Sequence, residues 1–138
     1  MAAPGPDFDD VYARLKAILE PYAPEMHVSA DDAKGYSLDL APAGERNPTT
    51  WFGGVMRWKH YVSFYLMPVY VDPGLLGGAS PELRKRMQGK SCFNFTRVDE
   101  HLMAELTSLT ARSYERTAGD AEWGKRQRED WNKARTNR

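Results

Sequence analysis

The stretch "TTWFGGVMRWKHYVSFYLMPVY", residues 49 to 70, restricts the fold more than any other part of the chain. β-Branched and aromatic residues dominate it, and both favour a pleated, half-buried backbone. Residues 60 to 67 alternate, placing His60, Val62, Phe64 and Leu66 on one face and Tyr61, Ser63, Tyr65 and Met67 on the other. Aromatics on both faces predict a central strand with one face under helices and the other partly open. Gly53 and Gly54 interrupt the preceding strand, which signals a bulge or a close backbone approach. Arg57, Trp58, Lys59 and His60 read as a hairpin turn or strand end.

Shorter signals surround this hairpin. Phe8, Val11, Tyr12, Leu15, Ile18, Leu19 and Tyr22 recur at helical spacing and predict an amphipathic helix over 7–20, with Asp7 as N-cap and Pro21 and Pro24 closing it. "MHVSA" and "GYSLDLA" read as two strands split by the turn "DDAKG", and "PAGERNP" as a loop. Pro73, Gly74, Gly77 and Gly78 make a flexible lobe. Ser80, Pro81 and Gly89 then frame a short helix over 81–88. "SCFNF" reads as a strand with Phe93 and Phe95 on one face. "TRVD" matches a capping box, Thr96 capping and Asp99 reaching back, that opens a helix to about 117. Its buried stripe is Val98, Leu102, Leu106, Leu109 and Ser113, and Gly119 ends it. Beyond lies a polar segment with Trp123 and Trp131 about two helical turns apart, expected to dock as a helix.

These elements predict an α+β domain over 7–118, preceded by a disordered 1–6 and followed by a helical tail over 119–138. The architecture expected is a two-layer sandwich, an antiparallel sheet with the N- and C-terminal helices packed on one face. A chain of 138 residues is long enough to bury one core without disulfides or metals. Nineteen basic residues balance nineteen acidic ones, so neither nucleic acid nor an anionic membrane is expected as a partner. A single cysteine, no signal-like N-terminus and no long apolar run predict a soluble, cytoplasmic protein, monomer or homodimer.

Catalytic motifs are absent from the sequence. "GKS" at 89–91 leaves a helix for a strand, the reverse of a phosphate-binding loop. Cys92 has no histidine at diagnostic spacing, and no zinc-ligand cluster or nucleophile elbow occurs. An enzyme using His60 or Cys92 is therefore the third-ranked reading. The leading one is a non-catalytic binding domain that holds a small ligand or protein partner. Its candidate pocket is the open sheet face, with Trp58, His60, Tyr61, Ser63, Tyr65 and Met67 under the glycine-rich lobe. A basic rim of Arg57, Lys59, Arg84, Lys85 and Lys90 is the candidate anion site, although such charge runs ordinarily form a solvated face. Asp7, Asp9 and Asp10 are a weak candidate for holding a metal. Three carboxylates at a helix start are better explained by the helix dipole than by a metal.

The order "HYVSFYLMPVY", helical insertion, "GKSCFNF", closing helix resembles the YdhG-like family of small bacterial domains of unknown function. The resemblance covers roughly residues 7 to 117. It implies a frataxin or YjbR type of two-layer sandwich and, through one branch, iron handling. From it comes the alternative reading of an intracellular iron-binding chaperone using the acidic first helix. It supplies no catalytic residues and no other cofactor.

Overall fold

The computed structural model describes residues 8–40, 50–120 and 122–136. The order of elements is helix α1 (Phe8–Leu19), a 3-10 turn (Glu20–Glu25), strands β1 (His27–Asp31), β2 (Gly35–Leu40), β3 (Thr50–Arg57) and β4 (Val62–Leu66), and a one-turn helix α2 (Pro68–Val71). A 3-10 lobe (Pro73–Gly78), one-turn helix α3 (Pro81–Arg84), strand β5 (Cys92–Phe95) and helices α4 (Glu100–Ala118) and α5 (Trp123–Thr136) follow. The five strands form one antiparallel sheet in the order β1-β2-β3-β4-β5, as the expected two-layer sandwich requires.

Alternation decides which face is covered. Val62, Phe64 and Leu66 of β4 and Phe93 and Phe95 of β5 point to the helices and are buried, with Phe64 opposite both Val55 and Phe93. α1 meets them with Val11, Leu15 and Leu19, and α4 with Leu102, Leu106 and Leu109. Each such side chain contributes roughly 1.5–3 kcal/mol when fully buried. Asp9 and Asp10 occupy the first turn of α1, where carboxylates favour the dipole.

The glycine pair is a close approach beside a register shift. Leu38 pairs with Gly53 but Asp39 with Trp51, so Phe52 is the extra residue of β3. Phe52 is buried against Tyr22 and Tyr114, while Trp51 lies against Tyr65 on the other face. A Cβ on Gly53 would stand 2.6 Å from the Tyr65 carbonyl oxygen, and one on Gly54 2.8 Å from that of Tyr36. Only glycine fits.

Several sequence expectations are corrected. Helix α3 spans one turn, not 81–88. Ser80 caps it by accepting from Leu83 N–H at 3.1 Å, but Arg86–Gln88 then pair with β5 through Asn94 N–H to Arg86 and Gln88 N–H to Cys92. Gly89 makes the return at φ 82°, in the region glycine favours. The cap of α4 is Asp99, which accepts from Leu102 N–H at 3.2 Å; Thr96 is exposed and lies before the helix. His60 sits in the exposed turn between β3 and β4, so the alternation that placed it in line with Val62 stops at Tyr61. The glycine-rich lobe does not cover the open sheet face. Leu76 anchors it in the helical core, and Arg84 and Arg112 reach its Leu76 and Leu75 carbonyls at 2.5 and 2.9 Å.

Helix α5 docks through Trp123, which is 2% exposed, with the Arg116 guanidinium over its ring. Among the described residues no helix is long and apolar enough to cross a membrane.

Candidate functional site

A concavity lies at the end of the sheet, where α5 crosses the start of β3 and faces α2. Its walls are Thr50, Trp51, Met67, Tyr70, Gln127, Arg128, Trp131 and Asn132, enclosing a cavity of ≈ 350 Å³. The chain folds this way because Pro68 starts a helical turn directly after β4, lifting Tyr70 beside the sheet end. Opposite it, Gln127 Nε2 donates to the Trp51 carbonyl at 2.7 Å, and Gln127 Oε1 accepts from Trp123 Nε1 at 2.9 Å. That pair of bonds sets the height of α5 above β3. Two turns beyond Trp123, Trp131 reaches the Tyr70 ring at 6.2 Å while staying 47% exposed.

The lining is largely apolar but includes the Arg128 guanidinium. Arg128 Nη1 donates to Thr50 Oγ1 at 2.9 Å, which uses one of its five donors. Among the described residues no carboxylate pairs with Arg128. The Lys90 ammonium stands 5.6 Å from the centre of the Tyr70 ring, a cation–π contact that again leaves its donors to other groups.

Of the six residues expected to line a pocket, only Met67 lines this cleft; Tyr65 adjoins it through the Trp51 ring, 5.2 Å away. Ser63 is buried and donates to Asn94 Oδ1 at 2.5 Å, so its hydroxyl is used within the sheet. Trp58 is 46% exposed at the hairpin, and Tyr61 lines a separate shallow groove with Lys85, Arg86, Gln88, Asn94 and Thr96. The expected pocket is thus divided between the cleft, the sheet surface and an exposed turn.

The basic rim is likewise divided. Arg57 faces the helices, paired with Asp9 and 5.5 Å over the Tyr12 ring. Arg84 holds the lobe. Lys59 is exposed in the hairpin turn, Lys85 borders the shallow groove and Lys90 stands by Tyr70. These side chains form no single anion site.

Among the three acidic candidates, Asp7 lies outside the described residues, Asp9 is paired with Arg57, and Asp10 is exposed in the first turn of α1. Among the described residues no group of three metal-capable side chains converges.

Cys92 is half-buried on the open face. Its thiol donates to Asn94 Oδ1 at 3.4 Å, and burial pushes its pKa above the ordinary 9.0 despite Ser63 and Tyr65 nearby. Burial likewise raises the Tyr65 phenol from 10.0. Both groups are neutral at pH 7, and no described hydrogen bond joins Cys92 to a histidine. A nucleophilic thiol needs the opposite environment.

The tail residues Gln127, Arg128 and Trp131 were not among the sequence candidates for a site. The indole spacing at 123 and 131 marks a docked face, and reading it against Tyr70 would have pointed to the cleft. No family model matches the chain, and no curated protein or solved structure matches it.

Proposed function

We propose that the protein is a non-catalytic binding domain that takes a small planar aromatic acid in the cleft between β3, α2 and α5. The observation that carries this reading is an Arg128 guanidinium without a carboxylate partner among the described residues, beside a cavity of ≈ 350 Å³ walled by Trp51, Tyr70 and Trp131. Cavities of roughly 300–1,000 Å³ with apolar walls and few polar groups suit small organic ligands. A planar ring gains from stacking on indole and phenol faces, and a guanidinium orients a carboxylate in two parallel hydrogen bonds.

The order of elements supports placing the chain beside the YdhG-like domains, a placement that carries no ligand with it. The test is a titration of isotope-labelled protein with 2-naphthoate and with its uncharged amide, followed by amide and indole NMR shifts. The expected result is saturable shifts at Tyr70, Gln127 and the Trp131 indole, with the carboxylate at least about ten-fold tighter. Arg128→Gln should erase the preference for the acid. Shifts confined to other surfaces, or none, would remove the reading.

A further inference from the structure

The zero net charge conceals a segregation along the chain. Between residues 51 and 98, seven lysines and arginines stand against two carboxylates, Asp72 and Glu82. The remainder of the chain is correspondingly acidic. That basic portion supplies β3, β4 and β5, hence the open half of the sheet.

The helices leave this face uncovered: α1 and α4 pack on the opposite side, and α5 reaches only the start of β3 among the described residues. Aromatic rings cross it in a row. Trp58, 46% exposed, holds its indole N–H close to the Tyr65 hydroxyl, and the Tyr65 ring meets the Trp51 ring at 5.2 Å. Beside the row runs the shallow groove of ≈ 390 Å³ that carries Tyr61, Lys85, Arg86, Gln88 and Asn94. Neither Lys85 nor Arg86 has a carboxylate partner among the described residues. The groove's amides are fixed, because Asn94 Nδ2 donates to Gln88 Oε1 at 2.6 Å.

We infer that the open face of β3, β4 and β5 binds single-stranded nucleic acid, with Trp58 and Tyr61 as stacking surfaces and Lys85 and Arg86 against the phosphates. Aromatic rings interleaved with cations on an uncovered antiparallel sheet form a platform on which unpaired bases stack, while backbone charge is met along a groove. A duplex presents no exposed base faces to such a surface. An acidic polypeptide would satisfy the cations but would leave the ring row unused. The inference does not rest on the cleft, which meets this face only where Trp51 touches Tyr65.

The test uses the full chain and a labelled oligothymidylate of roughly eight nucleotides, read by fluorescence anisotropy over a range of salt. Affinity is expected to fall as salt rises. Lys85→Gln with Arg86→Gln should weaken binding and flatten the log–log salt slope by about 1.4, at about 0.7 per lost phosphate contact. Trp58→Ala, at an exposed site that leaves the core intact, should weaken it at least about five-fold, the size of one lost stacking contact. A matched duplex and polyglutamate should both bind more weakly. The inference is overturned if the oligonucleotide does not bind, if polyglutamate binds equally well, or if Trp131→Ala abolishes binding while Trp58→Ala spares it.

Discussion

Gln127 spans the gap between a helix and a strand, giving its amide hydrogen to the Trp51 carbonyl at 2.7 Å while its oxygen takes the Trp123 indole N–H. Gln127 is buried, so each bond replaces one to water that is out of reach. Gln127→Met would remove the side-chain bond to the Trp51 carbonyl and the acceptor of the buried Trp123 indole N–H. A buried polar group left unsatisfied costs about 1–3 kcal/mol. The expected result is faster hydrogen exchange across α5 with little change in β4 and β5; unchanged exchange in α5 would show that Trp123 packing alone fixes the helix.

Asp99 and Thr96 provide a paired comparison. Asp99 accepts from Leu102 N–H and Thr96 does not cap α4. Asp99→Ala should therefore cost about 1 kcal/mol in urea unfolding, the usual worth of an N-cap, and Thr96→Ala almost nothing. The reverse order would restore the capping box suggested by "TRVD".

Gly53 is confined by backbone on the neighbouring strand. A methyl group there meets the Tyr65 carbonyl oxygen at 2.6 Å, and no side-chain rotation relieves that contact. Gly53→Ala should destabilise by roughly 1–3 kcal/mol, in the range for overpacked interiors. Chemical denaturation would register the loss as a lower midpoint, whereas a midpoint equal to the parent's would mean that β3 and β4 can spread without cost.

Glu105 ties α4 to the start of α3. Burial pushes its carboxyl upward, but the Ser80 hydroxyl at 2.6 Å and the Ser80 N–H at 2.9 Å outweigh this and hold the pKa below the ordinary 4.5. A group depressed on folding stabilises the protein above its unfolded pKa and loses that contribution as pH falls through the folded value. Stability conferred by Glu105 is therefore complete above about pH 5 and declines below 4.5. Urea midpoints at pH 7 and pH 3 should differ less in Glu105→Gln than in the parent; equal differences would show that the carboxylate adds nothing beyond its neutral isostere.

The sheet and its covered face were legible from alternation, because Val62, Phe64, Leu66, Phe93 and Phe95 follow a period of two that only a strand satisfies. The first helix was legible from its apolar spacing and α5 from its two indoles. What composition and spacing did not reveal was decided by contacts between distant segments. Helix α3 stops because Arg86–Gln88 find hydrogen bonds on β5, and no local propensity of "RKRMQ" announces that. Asp99 displaced Thr96 as the cap because both residue types fit that role locally. The cleft needed Tyr70 and Trp131, 61 positions apart in the sequence, to meet, and the open face lost its expected cover because Leu76 found the helical core.

The pairing of Arg86–Gln88 with β5 also governs how copies of this protein can meet. Sheets join other sheets through strands whose backbone groups lack neighbours, and a chain with two such borders can add copies without end. Here the border at β5 is already occupied by the chain's own return, through a bridge at Met87 too short to present a ladder of its own. Among the described residues only the outer side of β1 is left, and its register is itself broken between Val28 and Ala30. Two copies joined there would consume both available borders at once. Growth along the hydrogen-bonding direction ends at a closed pair, and a filament built by sheet extension would first have to peel residues 86–88 away.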